Sequence, residues 1–344
     1  MRKCAPILFL AAVGLTVPAL AQTRSDEVEA WTPTQTSIRA TSAGIALPQT
    51  IAGLSLAKSG EASNGGRAID NYAQYVSDDG VIQGTLYIYM PTYADASLAA
   101  YMTDKAVMER FGSKTRRSAY ASVAAAGQAG KAIRAVYDDA ADGALTTAAA
   151  FVHAGRWIVK MRVTGPGERR ADVLAGIDAM LADLTVDDAA QLHTAVPATF
   201  GACPSPTGGE ATLIKQDGGE AAVADVGVPR DGKVALCVRG TVETAQGRLD
   251  ILQQAGRREG TVIVPTDDSG TVLAFDPAVP GKNYKLSIHS VGQTDLYGVY
   301  DRLPTARQIA AILDGKDPQT AHATSTAAYA ANGDITMVRA GEDR

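Results

Sequence analysis

The stretch VIQGTLYIYMP, Val81 to Pro91, alternates with a period of two. Ile82, Leu86, Ile88 and Met90 fall on one side, and Val81, Gln83, Thr85, Tyr87 and Tyr89 on the other. Such spacing suits a strand with one face in a core and rules out an amphipathic helix. TIAGLSLAKSG (50–60), GRAIDNYAQYVS (66–77), GKAIRAVYDD (130–139) and ALTTAAAFVHAG (144–155) read as further strands. Short turns at Asp78-Asp79-Gly80 and Asp138 to Gly143 join neighbours, which requires antiparallel pairing.

Two helices interrupt this series. The first is expected over 95–111, with Asp95 as N-cap, Gly112 as the stop, and Leu98, Met102 and Ala106 as its buried stripe. The second follows a strand from Trp157 to Thr164. Its Val173, Leu174, Ile177, Met180, Leu181 and Leu184 recur at helical spacing. The sequence therefore predicts an α+β class: an antiparallel sheet packed with two amphipathic helices, followed by a smaller mostly-β domain.

The pattern IAGLSLAKSG, a hairpin ending in GTLYIYMP, a helix, and AFVHAGRWIVKMRVTGPGE leading into a last helix resembles the PsbP-like fold, including periplasmic proteins of the DcrB type. The resemblance covers about 47–184. It implies a binding or assembly module and carries no catalytic set onto residues of this chain.

The organisation read from the sequence is a signal peptide over 1–21, a flexible segment over 22–46, the α+β unit over 47–187, a linker over 188–209, a mostly-β unit with a terminal helix over 210–314, and a flexible tail over 315–344. The signal follows from Arg2 and Lys3, the apolar run Ile7 to Leu20, and the small-residue pattern ending at Ala21. That run is too short and broken for a transmembrane anchor. The expected location is the periplasm, or the outside, after cleavage near Ala21. Cleavage leaves 30 basic against 37 acidic residues, a balance that disfavours nucleic acid as a partner. Cys203 and Cys237 are then the remaining cysteines, and in an oxidising compartment a disulfide between them is the default. A redox pair or half a metal site would favour a C-x-x-C spacing that they lack.

Catalytic motifs are weighed against plainer readings. Thr164-Gly165-Pro166-Gly167 precedes a helix, but a dinucleotide loop would want a third glycine where Arg170 stands, and Pro166 lacks a donor. A plain turn is expected. None of the Gly-Lys pairs is followed by the Ser or Thr of a phosphate loop. Gly53-Leu54-Ser55-Leu56-Ala57 lacks the second glycine of a nucleophile elbow. His153, His193, His289 and His322 are scattered, so no metal ligand set or cofactor is assigned. The candidate ligand or partner surface is aromatic: Tyr87 and Tyr89 share a face, which Tyr72 or Tyr75 joins according to register. The leading reading is an exported, soluble, non-catalytic envelope protein that binds a small ligand or an unknown envelope protein. The alternative is a periplasmic hydrolase in which Asp70, Asp138, Asp142 and His153 converge on folding.

Overall fold

The computed structural model describes residues 29–63, 66–204, 209–215, 235–245, 247–255, 260–266, 270–279 and 282–339. The expected signal peptide lies outside these residues.

Strands come in quick succession. β1 (Trp31–Pro33), β2 (Ser37–Ala40), β3 (Ile45–Pro48), β4 (Thr50–Ile51), β5 (Leu54–Glu61), β6 (Asp70–Ser77) and β7 (Gln83–Tyr89) precede helix α1 (Ala96–Arg110). β8 (Arg116–Ala125), β9 (Gln128–Asp139), β10 (Leu145–Ala154) and β11 (Trp157–Pro166) lead to α2 (Arg170–Ala182) and β12 (Thr185–Val186). Then come β13 (Leu213–Lys215), β14 (Leu236–Thr244), β15 (Gly247–Gln254), β16 (Val262–Pro265), β17 (Val272–Val279), β18 (Lys282–Ser290) and β19 (Gln293–Tyr300). α3 (Ala306–Leu313), β20 (Ser325–Tyr329) and β21 (Ile335–Arg339) complete the described chain.

The strands form three antiparallel sheets: β1-β2-β3-β12, an eight-stranded sheet in the order β4-β5-β6-β7-β11-β10-β9-β8, and a nine-stranded sheet from β14 to β21 with β13 paired to β19. Strand residues make up 51% of the described residues and helix 18%, so the described part of the protein is mostly β. The expected α+β class, one sheet packed with two helices, is overturned by this count and by the sheets themselves. Several strands lack the signal that marks β7. β8 is largely solvent-exposed and built from Ser, Ala and Arg, so it shows no apolar alternation. Residues 31–46 and 325–339, read from sequence as loose segments, carry strands whose few apolar side chains are anchored deeply; Ile38, Ile45 and Tyr329 all join the main core.

The helices do not share a face of the eight-stranded sheet. Val173, Ile177 and Met180 of α2 pack with Val159, Met161 and Val163 of β11. Residues of opposite parity, Ile158 of β11 with Phe151 and Ala149 of β10, meet Ala96, Ala99 and Ala100 of α1. The predicted stripe of α1 turns away from this sheet. Leu98 and Met102 are buried against Leu252, Ile263, Val272 and Ala274 of the nine-stranded sheet. α1 is thus enclosed on two sides, which is why its sequence shows no strong polar face. Its start is as read: Asp95 accepts from the amides of Ser97 and Leu98.

A polar contact ties the same helix to the second sheet. Asp250 of β15 accepts from the Tyr101 hydroxyl at 2.7 Å and from Lys105 Nζ at 2.8 Å. Cys203 and Cys237 are joined in a disulfide. Among the described residues no helix is long and apolar enough to cross a membrane.

Candidate functional site

α1 covers the β9 and β10 end of its face of the eight-stranded sheet and reaches β11 and β7 at Ile158 and Tyr89. Across β6, β7 and β11 the same face is left to short-range neighbours, and a cleft of about 680 Å3 opens there. Its floor includes Asp70, Gln83, Thr85, Tyr87, Lys160, Arg162 and Thr164, and Gly270 and Val291, in connections of the nine-stranded sheet, border it. Register explains the grouping. Tyr87 lies opposite Lys160, Thr85 opposite Arg162, and Gln83 opposite Thr164. On the other flank Tyr72 lies opposite Tyr87, and Asp70 opposite Tyr89.

The four tyrosines proposed from sequence divide. Tyr87 is 37% exposed and stands in the cleft. Tyr72 springs from the same face of β6 but does not line the cleft: its ring lies across β5, where a Cβ on Gly60 would come within 2.5 Å of its hydroxyl. Tyr89 lines the inner end of the cleft but is buried against α1. Tyr75 takes the opposite face, buried in the main core with its hydroxyl donating to the Pro48 carbonyl. Burial pushes its phenol pKa well above the ordinary value.

The cations of this face were not singled out from the sequence, because Lys160 and Arg162 sit in a strand whose other residues read as core. Arg162 is held in place on two sides. Its guanidinium lies 5.0 Å over the Phe111 ring, and its Nε donates to Thr147 Oγ1 at 3.2 Å. Thr147 is in turn 2.7 Å from Thr164 Oγ1. Lys160 Nζ lies 5.8 Å from the Tyr87 ring centroid. At the far end, desolvation raises the pKa of Asp70, with a smaller push from the charge of Glu61.

The groups of the hydrolase alternative are not brought to one place. Asp70 lies in the cleft, whereas Asp138 accepts from Arg170 beside α2. Asp142 sits in the turn near Gly112 with a left-handed backbone. His153 stacks on His193 at 4.1 Å between ring centroids. No group of three or more His, Cys, Asp or Glu able to hold a metal occurs among the described residues.

The turn at Gly165 is a connection between packed elements. β11 is antiparallel to both neighbours, Gly165 pairs with Thr146, and the Gly167 amide donates to the Ala144 carbonyl. A Cβ on Gly165 would sit 3.0 Å from both Ile82 Cγ1 and Val173 Cγ2. The glycine is there for close contact between strand and helix.

No protein-family model and no curated protein matches the chain. Among solved structures, the Ran-binding protein Mog1p of Saccharomyces cerevisiae aligns with 47% of this chain and 100% of its own, at 10% identity and a TM-score of 0.31. A likeness of that size bears on neither class nor ligand.

Proposed function

We propose that this chain is an exported, non-catalytic binding module whose ligand occupies the cleft over β6, β7 and β11. The observation that carries the reading is the uncovered half of a sheet face. An antiparallel sheet commonly packs one face and leaves the other polar and solvated. The β9 and β10 part of this face is packed under α1, so the support lies in the walled cleft and not in polarity alone. The remaining part presents tyrosine, threonine, glutamine, arginine and lysine to that cleft. An aromatic surface with a few fixed polar groups is the usual make-up of a ligand site. The dispersal of Asp70, Asp138, Asp142 and His153 favours binding over the hydrolase reading.

Export is part of the proposal, supported by the leader-like start of the sequence and by the disulfide. So is a relationship of residues 47–184 to PsbP-like modules, which rests on the order of their elements.

Hydrogen exchange tests the assignment of the cleft. The mature protein, incubated with a small-molecule extract of the periplasm, should gain amide protection over 83–89 and 158–164, and Tyr87→Ser should abolish that gain. Protection confined to other strands would refute it.

A further inference from the structure

We infer that the cleft takes a ring-bearing carboxylate, with the acid group on Arg162 and Thr164 and the ring against Tyr87. The inference rests on the binding reading above and deepens it by naming a ligand class. It starts from how the donors are oriented. Nε of Arg162 can only donate, so Thr147 Oγ1 must accept there. Thr147 Oγ1 is 2.7 Å from Thr164 Oγ1, a contact that either hydroxyl can donate, and it also reaches the Val163 carbonyl at 3.4 Å. With Thr147 donating to it, Thr164 Oγ1 has its own proton to give to a ligand.

The outer side of the Arg162 fork points the same way. With Nε committed to Thr147 and the guanidinium plane seated on Phe111, its terminal nitrogens meet no acceptor among the described residues. A planar fork fixed in advance and a neighbouring hydroxyl able to donate match a carboxylate. The chain as a whole is acidic, so a basic side chain held half-buried on a cleft floor is not explained by general surface charge. Among the described residues the nearest acid on the same floor, Asp70, is four residues further along and two strands across, roughly 16 Å away. That distance leaves the Arg162 end positive.

Ring recognition follows from register. Tyr87 is the diagonal neighbour of Arg162 across the β7–β11 ladder, so the two side chains spring from points roughly 7–8 Å apart. A carboxylate borne on a six-membered ring bridges such a gap, with the ring on the exposed face of Tyr87 and Thr85 and Gln83 beside it for hydroxyls. Aromatic acids and acidic sugars share this chemistry.

Calorimetric titration and amide shift mapping on the mature protein test it, using 4-hydroxybenzoate and D-galacturonate, their neutral counterparts phenol and D-galactose, and inorganic phosphate. At least one acid should bind about tenfold or more tightly than its neutral counterpart, weaken with added salt, and perturb residues 85–87 and 162–164. The better acid identifies the ring type. Arg162→Gln should lower its affinity by about tenfold or more and leave the neutral compounds unchanged. If that variant fails to fold for want of cover over Phe111, Thr164→Val with the wild-type salt series gives the same comparison. Equal binding of acids and neutral compounds would overturn the inference and leave the binding reading standing. Binding of phosphate as tightly as either acid would remove the ring from it. Absence of any perturbation in the cleft would overturn it too, while the exchange experiment with periplasmic extract judges the wider reading separately.

Discussion

Replacing Asp250 by Ala tests whether α1 is pinned to the second sheet by charge as well as by apolar contact. The side chain of Asp250 is 9% exposed and that of its partner Lys105 is 17% exposed. Removing the carboxylate leaves an ammonium in a site where water has little room, and also strips the Tyr101 hydroxyl of its acceptor. Breaking a fully buried pair costs about 3–5 kcal/mol. Lys105 retains some solvent and has Glu109 at 4.0 Å, which places the expected loss at the lower end, about 3 kcal/mol. Asp250→Asn, which still accepts from Tyr101, should lose about half as much. Urea denaturation followed by circular dichroism gives the values, and a cycle with Lys105→Met separates the pair from its surroundings. A loss below about 1 kcal/mol for Asp250→Ala, or no coupling between the two positions, would refute the pin.

Three further outcomes are open to measurement. Gly165→Ala should cost about 1–3 kcal/mol, because its methyl meets Ile82 and Val173 at 3.0 Å; an unchanged melting temperature would show that α2 can move aside. Reduction of the Cys203–Cys237 bond, which closes a 34-residue separation, should lower stability by about 3–4 kcal/mol in the chain-entropy model, read as the difference between denaturation curves with and without reductant. The raised pKa of Asp70 means that the native state holds its proton more tightly than the unfolded chain does. Stability should therefore fall as pH rises from the ordinary 3.8 through the raised native value, and Asp70→Asn should flatten that part of the profile; an identical slope in the variant would assign it elsewhere.

Where a segment is half-buried, its pattern is visible in the chain. Ile82, Leu86, Ile88 and Met90 are buried together as their spacing requires, and α1 begins at the cap that Asp95 offers. β8 escapes notice because an exposed edge strand needs no apolar alternation. β19, QTDLYGVY, is partly hidden for another reason: its glycine and aspartate read as turn residues, yet pairing with β18 and β20 fixes them in a ladder. The class was misjudged for the same cause, since strands of weak pattern make the described chain mostly β.

Of the candidate site, Tyr87 and its alternation partners were readable, but Tyr72 and Tyr75 were not distinguishable. Their spacing of three puts them on opposite faces, and only the register of β6 against β7 decides which one meets Tyr87.

The sequence by itself determined the faces of its stronger strands, the caps and stripes of its helices, and the cysteines available to pair. These depend on residues close together in the chain, where periodicity and local hydrogen bonding act. Tertiary structure alone decided that α1 would be buried on two sides, that half a sheet face would stay open, and that Phe111 and Thr147 would fix Arg162 beside Tyr87. Those outcomes depend on contacts between segments far apart in sequence, whose pairing no local pattern encodes.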